Sequence, residues 1–180
     1  MGIKRLNHAV LYVRNAARSG AFYADVLGFV PAMGEEAEVM PGAVFLRAPD
    51  STNDHDLGLF GVGDAATPSA AGQGSVGLYH MAWEVRTLAD LQDYAERLTA
   101  AGALVGASDH GTTKALYGKD PDGIEFEVSW LVPADRIDAA TLEARTRIGP
   151  LDIAAEIARY GADTRGGVGV SIPLASVATP

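Results

Sequence analysis

Cysteine is absent from the 180 residues, and basic residues are few, with 14 lysines and arginines against 23 aspartates and glutamates. Without cysteine the chain forms no disulfide and offers no thiolate ligand to a metal. The formal net charge of -9 argues against a phosphate-backbone partner, because nucleic-acid binding requires a basic face. No apolar run approaches the roughly 18 residues of a membrane helix, and residues 1–14 lack the apolar core of a signal peptide. We therefore expect a soluble cytoplasmic protein with neither a nucleic-acid nor a membrane partner.

Histidine is also scarce, yet two of the four histidines occupy near-copies of one segment. The sequence LNHAVLYV at Leu6–Val13 returns 72 residues later as LYHMAWEV at Leu78–Val85. Because strand side chains alternate between faces, His8 and His80 point the same way in their own copies. If the copies pair about a pseudo-twofold axis, the two imidazoles converge on one point. Imidazole is a common ligand of catalytic first-row metals, so the repeat predicts a metal site with His8 and His80 as ligands.

The repeat extends to the order of secondary-structure elements. A helical stretch from Ala16 to Leu27 follows the first copy and stops at Gly28. In the second half Thr87 is placed as an N-cap, an apolar helical face follows it, and Gly102 ends the helix. Short apolar runs follow each helix, namely 29–33, 43–47 and 56–60 in the first half and 103–107, 113–118 and 124–131 in the second. Each half therefore predicts a β-α-β-β-β module.

Composition divides the chain into a domain and an extension. Residues 61–77 are rich in Gly, Ala, Ser and Pro without apolar periodicity, which is typical of a linker. We predict one domain over 1–133, with module one at 4–60, the linker at 61–77 and module two at 78–133. Residues 134–180 form a C-terminal extension with helical segments at 136–148 and 151–160 and a Gly-rich tail. This extension is expected to pack on the domain or on a second subunit.

A third metal ligand is expected from the last strand of module two, because that strand flanks the first. It carries Glu125 and Glu127, which lie two apart and face the same side, so periodicity leaves the choice open. Glu125 follows the tight turn Asp120–Gly123 and is expected at the wet rim. Glu127 is expected deeper, where a carboxylate needs a strong partner such as a metal, although a surface pair of carboxylates is the alternative. The matching position in module one falls at Leu59 or a close neighbour. Two His and one carboxylate then leave coordination positions open, which suits non-haem Fe(II).

The duplicated module with Leu-x-His at each start, and Asp-Pro-Asp-Gly ahead of Glu127, resembles the vicinal oxygen chelate superfamily. This superfamily includes glyoxalase I, fosfomycin- and bleomycin-resistance proteins and extradiol ring-cleaving dioxygenases. The resemblance covers Arg5 to Pro133. It implies an α+β fold in which two β-α-β-β-β modules form a curled mixed sheet, or half-barrel, around a metal site. It also implies a homodimer or a larger homo-oligomer.

Three further residues favour the compact one-domain type I extradiol dioxygenases within that superfamily. His55, in the segment NDHDLGLF, is similar to the histidine that those enzymes place beside the metal. His110 and Tyr117 are similar to a histidine and a tyrosine that lie beyond the metal ligands. Tyr117 precedes Glu127 by ten residues, as in that family, whereas His110 lies about two residues closer to the glutamate than in the larger two-domain enzymes. Taken singly, His55 and His110 beside aspartates also fit solvated surface residues, and Tyr117 fits a core residue.

The resemblance implies a catechol 2,3-type dioxygenase of aromatic compound catabolism, with a small aromatic diol and O2 as substrates. Fe(II) is the implied metal, and Mn(II) accepts the same ligands. His55 is expected to act as the general base, and Tyr117, with His110 behind it, to orient the substrate oxygen. The candidates to line a pocket for the aromatic ring are Val10, Tyr12 and Ala82.

Other members of the superfamily stay open at this point. A glyoxalase-like isomerase or lyase normally has four protein ligands, and module one offers no acid in register for the fourth. A fosfomycin-type thiol transferase also uses His, His and Glu, but it does not need His55 and Tyr117 in these contexts. A binding protein of the bleomycin-sequestering kind uses the cleft without a metal, and the apparent ligand triad argues against it.

Overall fold

A computed structural model describes residues 2–3, 5–32, 40–72 and 74–167 of the chain. By its internal contacts the chain divides into two compact units, Met1–Gly77 with Asp120–Ile124 and Leu78–Lys119 with Glu125–Pro180. Each unit contains one mixed sheet with helices, so the predicted α+β class is confirmed. Across the described residues, no helix has the length and apolar composition that crossing a membrane requires.

The first unit follows the predicted β-α-β-β-β order. Its elements are β1 Ala9–Val13, α1 Ala16–Asp25, β2 Val30–Pro31, β3 Ala43–Arg47 and β4 Leu57–Gly61. The strand order is β1-β4-β3-β2, with β4 parallel to β1 and antiparallel to β3. The strand predicted over 29–33 is shorter than expected, because only Val30 and Pro31 pair with β3, and Met33 lies outside the described residues.

Alternation along β1 separates a buried face from an open one. Leu11 and Val13 are buried, as are the β4 residues Leu57 and Leu59. The intervening Val10 and Tyr12 are 51% and 76% exposed. By strand alternation they lie on the same face as His8, which directly precedes the strand. Helix α1 begins where the Asn15 side chain accepts from the Arg18 backbone N–H, a standard N-cap. The hydrophobic pattern therefore leaves the His8 face of β1 uncovered within this unit.

The segment Asp120–Ile124 belongs to the first unit and forms the predicted tight turn. One Asp120 carboxylate oxygen accepts from the backbone N–H groups of Asp122 and Ile124, and Gly123 takes a φ of 81°. The Asp122 carboxylate accepts from the Arg14 backbone N–H and also pairs with the Arg14 guanidinium at 2.9 Å. Burial raises the pKa of Asp120, and the two backbone donors act against that rise.

The second unit repeats the same order and adds a strand. Its elements are β5 His80–Glu84, α2 Leu88–Ala100, β6 Leu104–Asp109, β7 Thr113–Lys119, β8 Glu125–Leu131 and β9 Gly149–Pro150. The strand order is β5-β8-β7-β6-β9. Thr87 and Asp90 form a reciprocal capping box at the start of α2, which confirms the predicted N-cap. Strand β9 was not predicted, since two residues carry no periodic signal.

The C-terminal extension packs on the second unit, but its helices differ from the prediction. In place of one helix over 136–148 there is a 3-10 turn Ala134–Arg136 followed by α3 Ala139–Ala144, and α4 covers Ile153–Tyr160. The long helix is wrong because Ile137 is extended and Asp138 caps a new helix by accepting from Thr141 N–H. Trp130 of β8 donates to the Thr164 carbonyl at 3.1 Å, and its ring lies 5.5 Å from the tilted ring of Tyr160. The tail from 168 onward lies outside the described residues.

Candidate functional site

His80 and the two glutamates of β8 share one end of the second sheet. Strands β5 and β8 are parallel neighbours, which confirms that the last strand of module two flanks the first. The register sets His80 opposite Glu125 and Ala82 opposite Glu127. Side chains of both glutamates therefore lie on the His80 face of the sheet.

Burial separates the two glutamates as expected. Glu127 is only 9% exposed, whereas Glu125 is partly exposed next to the turn. Carboxylate oxygen Oε2 of Glu127 lies 3.2 Å from Nε2 of His80. Two ligands at right angles on one cation, each about 2.1 Å from it, are separated by about 3.0 Å. The pair therefore has the spacing of adjacent metal ligands, which is also the spacing of an ordinary hydrogen bond between imidazole and carboxylate.

The other imidazole nitrogen of His80 is buried and, in the described part of the chain, has no hydrogen-bond partner. Buried polar atoms are normally satisfied, so an orphaned nitrogen marks a place where the surroundings are incomplete. Tyr79 lies beside it, with ring centroids 4.7 Å apart. Sequence reasoning did not select Tyr79, although it directly precedes His80 as Asn7 precedes His8.

Tyr117 joins this cluster from the next strand. It lies directly opposite Glu127 in the antiparallel pairing of β7 with β8. The Glu127 charge acts on the phenol, and Nε2 of His110 lies 2.9 Å from the phenol oxygen. Burial, and then the negative charge of Glu127, raises the pKa of Tyr117 to about 12. The structure thus groups these four residues, with a hydrogen bond between His110 and Tyr117, Glu127 opposite Tyr117, and a 3.2 Å contact between Glu127 and His80.

In the first unit His8 and His55 lie against each other. Their ring centroids are 4.5 Å apart, and the His55 ring also meets Phe45 at 5.2 Å. Nδ1 of His8 lies 2.7 Å from the Asn7 amide oxygen, and Nδ1 of His55 lies 2.9 Å from an Asp54 carboxylate oxygen. Since an oxygen acceptor at Nδ1 fixes the proton there, Nε2 is the basic nitrogen in both rings.

The six predicted site residues therefore form two groups, one in each unit. His8 and His55 form the group of the first unit, while the second unit holds His80, Glu127, Tyr117 and His110. Among the residues that the structure describes, no three His, Cys, Asp or Glu side chains are grouped to hold a metal ion. The complete ligand set of His8, His80 and Glu127 thus stays a prediction, with two of its members adjacent.

Strand register identifies the first-unit counterpart of Glu127. Val10 and Ala82 correspond in the repeat, and they lie opposite Gly58 and Glu127 respectively. Gly58, the neighbour of Leu59, therefore occupies the place where a fourth acidic ligand would stand. Phe45 lies opposite Gly58 where Tyr117 lies opposite Glu127. The first unit therefore carries an apolar version of the second unit's polar pair.

Asp56 is the acid nearest to that position, and its hydrogen bonds engage it elsewhere. It is 9% exposed and accepts from Ala48 N–H at 2.8 Å and from the Ser51 hydroxyl at 2.7 Å. It also accepts from the Asn53 amide. These bonds tie the loop ahead of β4 and hold His55 next to His8, so Asp56 has a structural role.

Comparison with known proteins places these observations in a family. Residues 5–128 match the family model described as the Glyoxalase/Bleomycin resistance protein/Dioxygenase superfamily. A Biphenyl-2,3-diol 1,2-dioxygenase 3 of Rhodococcus globerulus is 32% identical over 155 residues, covering 81% of this chain and 76% of that protein. A Manganese-dependent 2,3-dihydroxybiphenyl 1,2-dioxygenase of Geobacillus genomosp. 3 is 28% identical over 130 residues, covering 70% of this chain.

The chain belongs to the Glyoxalase/Bleomycin resistance protein/Dioxygenase superfamily, and the resemblance seen in its repeat is confirmed. A solved glyoxalase/dioxygenase structure from Nostoc punctiforme has the same fold, with a TM-score of 0.56 and 19% identity over 70% of this chain and 90% of that one. The chain spans only 36% of the length of the manganese-dependent relative. The relatives named as dioxygenases match this chain at low identity, and the superfamily also has members with other activities.

Proposed function

We propose that the protein is a metal-dependent extradiol dioxygenase that cleaves a catechol-type aromatic ring with O2. The carbon–carbon bond beside the diol breaks, and both atoms of O2 enter the ring-opened product. The single observation that carries the proposal is the cluster of His110, Tyr117, Glu127 and His80 in the second sheet. Two relatives named as dioxygenases of aromatic diols support it.

The metal in this proposal is Fe(II) or Mn(II), held by His8, His80 and Glu127. The adjacent nitrogen and oxygen of His80 and Glu127 fit a divalent first-row cation, and His8 has Nε2 as its basic nitrogen. When bound, the metal supplies Lewis-acid activation of the diol hydroxyls and electronic contact with O2. One relative is named as manganese-dependent, so Mn(II) is tested alongside Fe(II).

Tyr117 has the properties of a neutral hydrogen-bond donor to the substrate. Because its pKa is raised to about 12, the phenol keeps its proton throughout the physiological range. His110 Nε2 at 2.9 Å holds the phenol oxygen in one orientation. We assign Tyr117 the binding of a substrate oxygen and His110 the orientation of Tyr117. Because Tyr117 acts through its position, a change at His110 that shifts the phenol should weaken the orientation of the substrate.

His55 is assigned as the general base toward a diol hydroxyl. The Asp54 carboxylate lies at Nδ1, which leaves Nε2 able to accept a proton and stabilises the imidazolium that forms. The His55 side chain is 20% exposed, so a substrate hydroxyl can reach the ring. Its contact with the His8 ring places this general base beside a predicted metal ligand.

The experiment is anaerobic reconstitution of the protein with Fe(II) or Mn(II), followed by oxygen uptake with a panel of catechols. We expect oxygen consumption matched by a yellow ring-opened product. A filled metal site without uptake for any catechol contradicts the proposal and favours an isomerase or transferase. Protein that binds neither metal favours a metal-free binding protein.

A pair of variants tests the separate roles of the two touching histidines. His8→Ala should lose the metal, whereas His55→Ala should retain it and lose most turnover, about 100-fold for a general base. Metal content is measured by mass spectrometry on the same preparations used for kinetics. Loss of metal in His55→Ala identifies His55 as a ligand and overturns the role given to it.

One observation argues against the isomerase reading. A glyoxalase-like site needs a fourth protein ligand in the first unit, and the register places Gly58 there. An added Cβ at Gly58 already meets Phe45 and Val10 at 3.4 Å, so the position is occupied by apolar neighbours. The chain thus has no carboxylate at this place.

A further inference from the structure

The C-terminal extension contacts the strands that flank His110 through a buried lysine. Lys114 of β7 has a side chain that is only 1% exposed. Its ammonium lies 2.6 Å from the Asp109 carboxylate and 3.1 Å from the Glu156 carboxylate of α4. The contact with Asp109 is a hydrogen bond, while that with Glu156 is an ion pair without hydrogen-bond alignment. A buried ammonium requires such partners, because an unpaired charge in the interior is costly.

Asp109 connects Lys114 to the turn that contains His110. The same Asp109 oxygen that accepts from Lys114 also accepts from the Gly111 backbone N–H at 2.7 Å. The His110 backbone N–H donates to the Thr113 carbonyl at 2.9 Å. Asp109 therefore bonds to the backbone on the far side of His110 and is not the partner of its imidazole.

Helix α3 of the extension lies directly on the same turn. Gly111 has a φ of 75°, and an added Cβ would lie 2.5 Å from both the Thr141 carbonyl oxygen and the Arg145 nitrogen. Only a glycine fits there, because backbone of α3 fills the space of a side chain. Strand β9 also pairs with Asp109, so the extension contacts this turn from two of its elements.

The two helices of the extension are themselves tied together. The Arg159 guanidinium of α4 pairs with the Asp138 carboxylate at 3.0 Å and donates to the Thr141 hydroxyl at 3.0 Å. Asp138 caps α3. A shift of α4 is therefore transmitted to α3 and to Gly111, as well as through Glu156 to Lys114.

We infer that the C-terminal extension is a positioning element for His110. It acts through the Glu156–Lys114–Asp109 ion pairs and through the close packing of Gly111 against the backbone of α3. Its catalytic meaning rests on the proposed function, since His110 matters to turnover only if Tyr117 orients a substrate. The geometry itself predicts that the hydrogen bond between His110 Nε2 and the Tyr117 hydroxyl depends on residues beyond Pro133. Glu156 is a positioning residue that touches neither His110 nor Tyr117.

The test uses the full chain and a signal that does not require activity. With four histidines, the ring-nitrogen resonances of metal-free protein are assignable by His→Gln variants. Glu156→Gln should shift the His110 ring signal and leave those of His8 and His55 in place. Reconstituted enzyme should lose about 10-fold in kcat with KM changed by less than about 3-fold, because orientation rather than substrate binding is affected.

Two matched controls separate positioning from general damage. Glu143→Gln lies in the same extension but pairs with the exposed Arg147, so it should leave the His110 signal and kcat unchanged. Gly111→Ala should disturb the His110 signal. Gly102 also has a positive φ, 64°, but open space at Cβ, so Gly102→Ala should leave that signal in place. Should Glu156→Gln fail to fold, Arg159→Gln at the partly exposed tie between α3 and α4 should give a smaller shift of the same signal.

The outcomes of these measurements are distinguishable. Folded Glu156→Gln, Arg159→Gln and Gly111→Ala proteins with an unchanged His110 signal overturn the inference. A shifted signal in a protein that oxidises no catechol supports the positioning role and contradicts the proposed function. A kcat loss without any change at His110 shows that Glu156 acts by another route and also overturns the inference.

Discussion

Tyr117 lies directly opposite Glu127 across β7 and β8, while the corresponding residues of the first unit are Phe45 and Gly58. Both pairs occupy the same places in the two repeats. The second unit thus keeps a phenol and a carboxylate where the first has a ring and no side chain. The repeated frame therefore carries a polar pair in the second unit and an apolar pair at the same places in the first.

Removal of the Tyr117 hydroxyl should impair turnover without removing the metal. Tyr117→Phe loses the contact with His110 and the donor proposed for the substrate oxygen, so kcat should fall about 100-fold. Metal content should be unchanged, because the phenol is not a ligand. Tyr94→Phe on α2 is the hydroxyl-deletion control and should retain activity. Equal losses in both variants would show that the effect is structural.

The ionisation of Tyr117 predicts a change in the alkaline range. Its pKa rises from 10.0 to about 12, because burial and the Glu127 charge disfavour the phenolate. A raised folded-state pKa stabilises the native protein below pH 10, and this contribution is lost as the pH rises towards 12. The difference in phenolate absorbance between metal-free wild type and Tyr117→Phe measures the titration directly. A tyrosine that titrates at its ordinary value contradicts the burial and the contact described for it.

Substitutions at the two glutamates of β8 form a matched pair of variants that tests metal binding. Glu127→Gln should lose most bound metal, because an amide is a weaker ligand for a divalent cation than a carboxylate. Glu125→Gln, two residues away on the same face, should keep it. Metal per chain after reconstitution decides between them. If Glu125→Gln also loses its metal, the site includes the rim residue and the burial argument is insufficient.

Acid should loosen the extension through Asp138. Its pKa is lowered to about 2, first by the Thr141 backbone N–H and then by the Thr141 hydroxyl, with Arg159 adding to this. A lowered folded-state pKa stabilises the native protein above pH 3.8, and the contribution disappears as the pH falls through about 2. Asp138→Asn retains a capping side chain but does not titrate. Amide exchange in α3 should therefore rise less steeply with acid in Asp138→Asn than in wild type.

Much of the frame was predictable from local sequence. Alternating apolar residues gave the strands, and Thr87 and Gly102 marked the ends of α2, because caps act within a few residues. The helix over 136–148 was wrong, since a helical composition does not reveal that Asp138 caps a shorter helix. Strand β9 was missed because two residues become a strand only through pairing with β6.

The sequence by itself determined the repeat, the candidate ligands and the family, because periodicity and spacing are local properties of the chain. The sequence already predicted Glu127 as the deeper glutamate, whereas tertiary structure decided that its carboxylate lies beside His80 and that His110 contacts Tyr117 rather than its neighbour Asp109. Tertiary structure also decided that Glu156 and α3 brace the turn at His110. These outcomes depend on strand register and on burial shared among distant segments, and no local pattern contains that information.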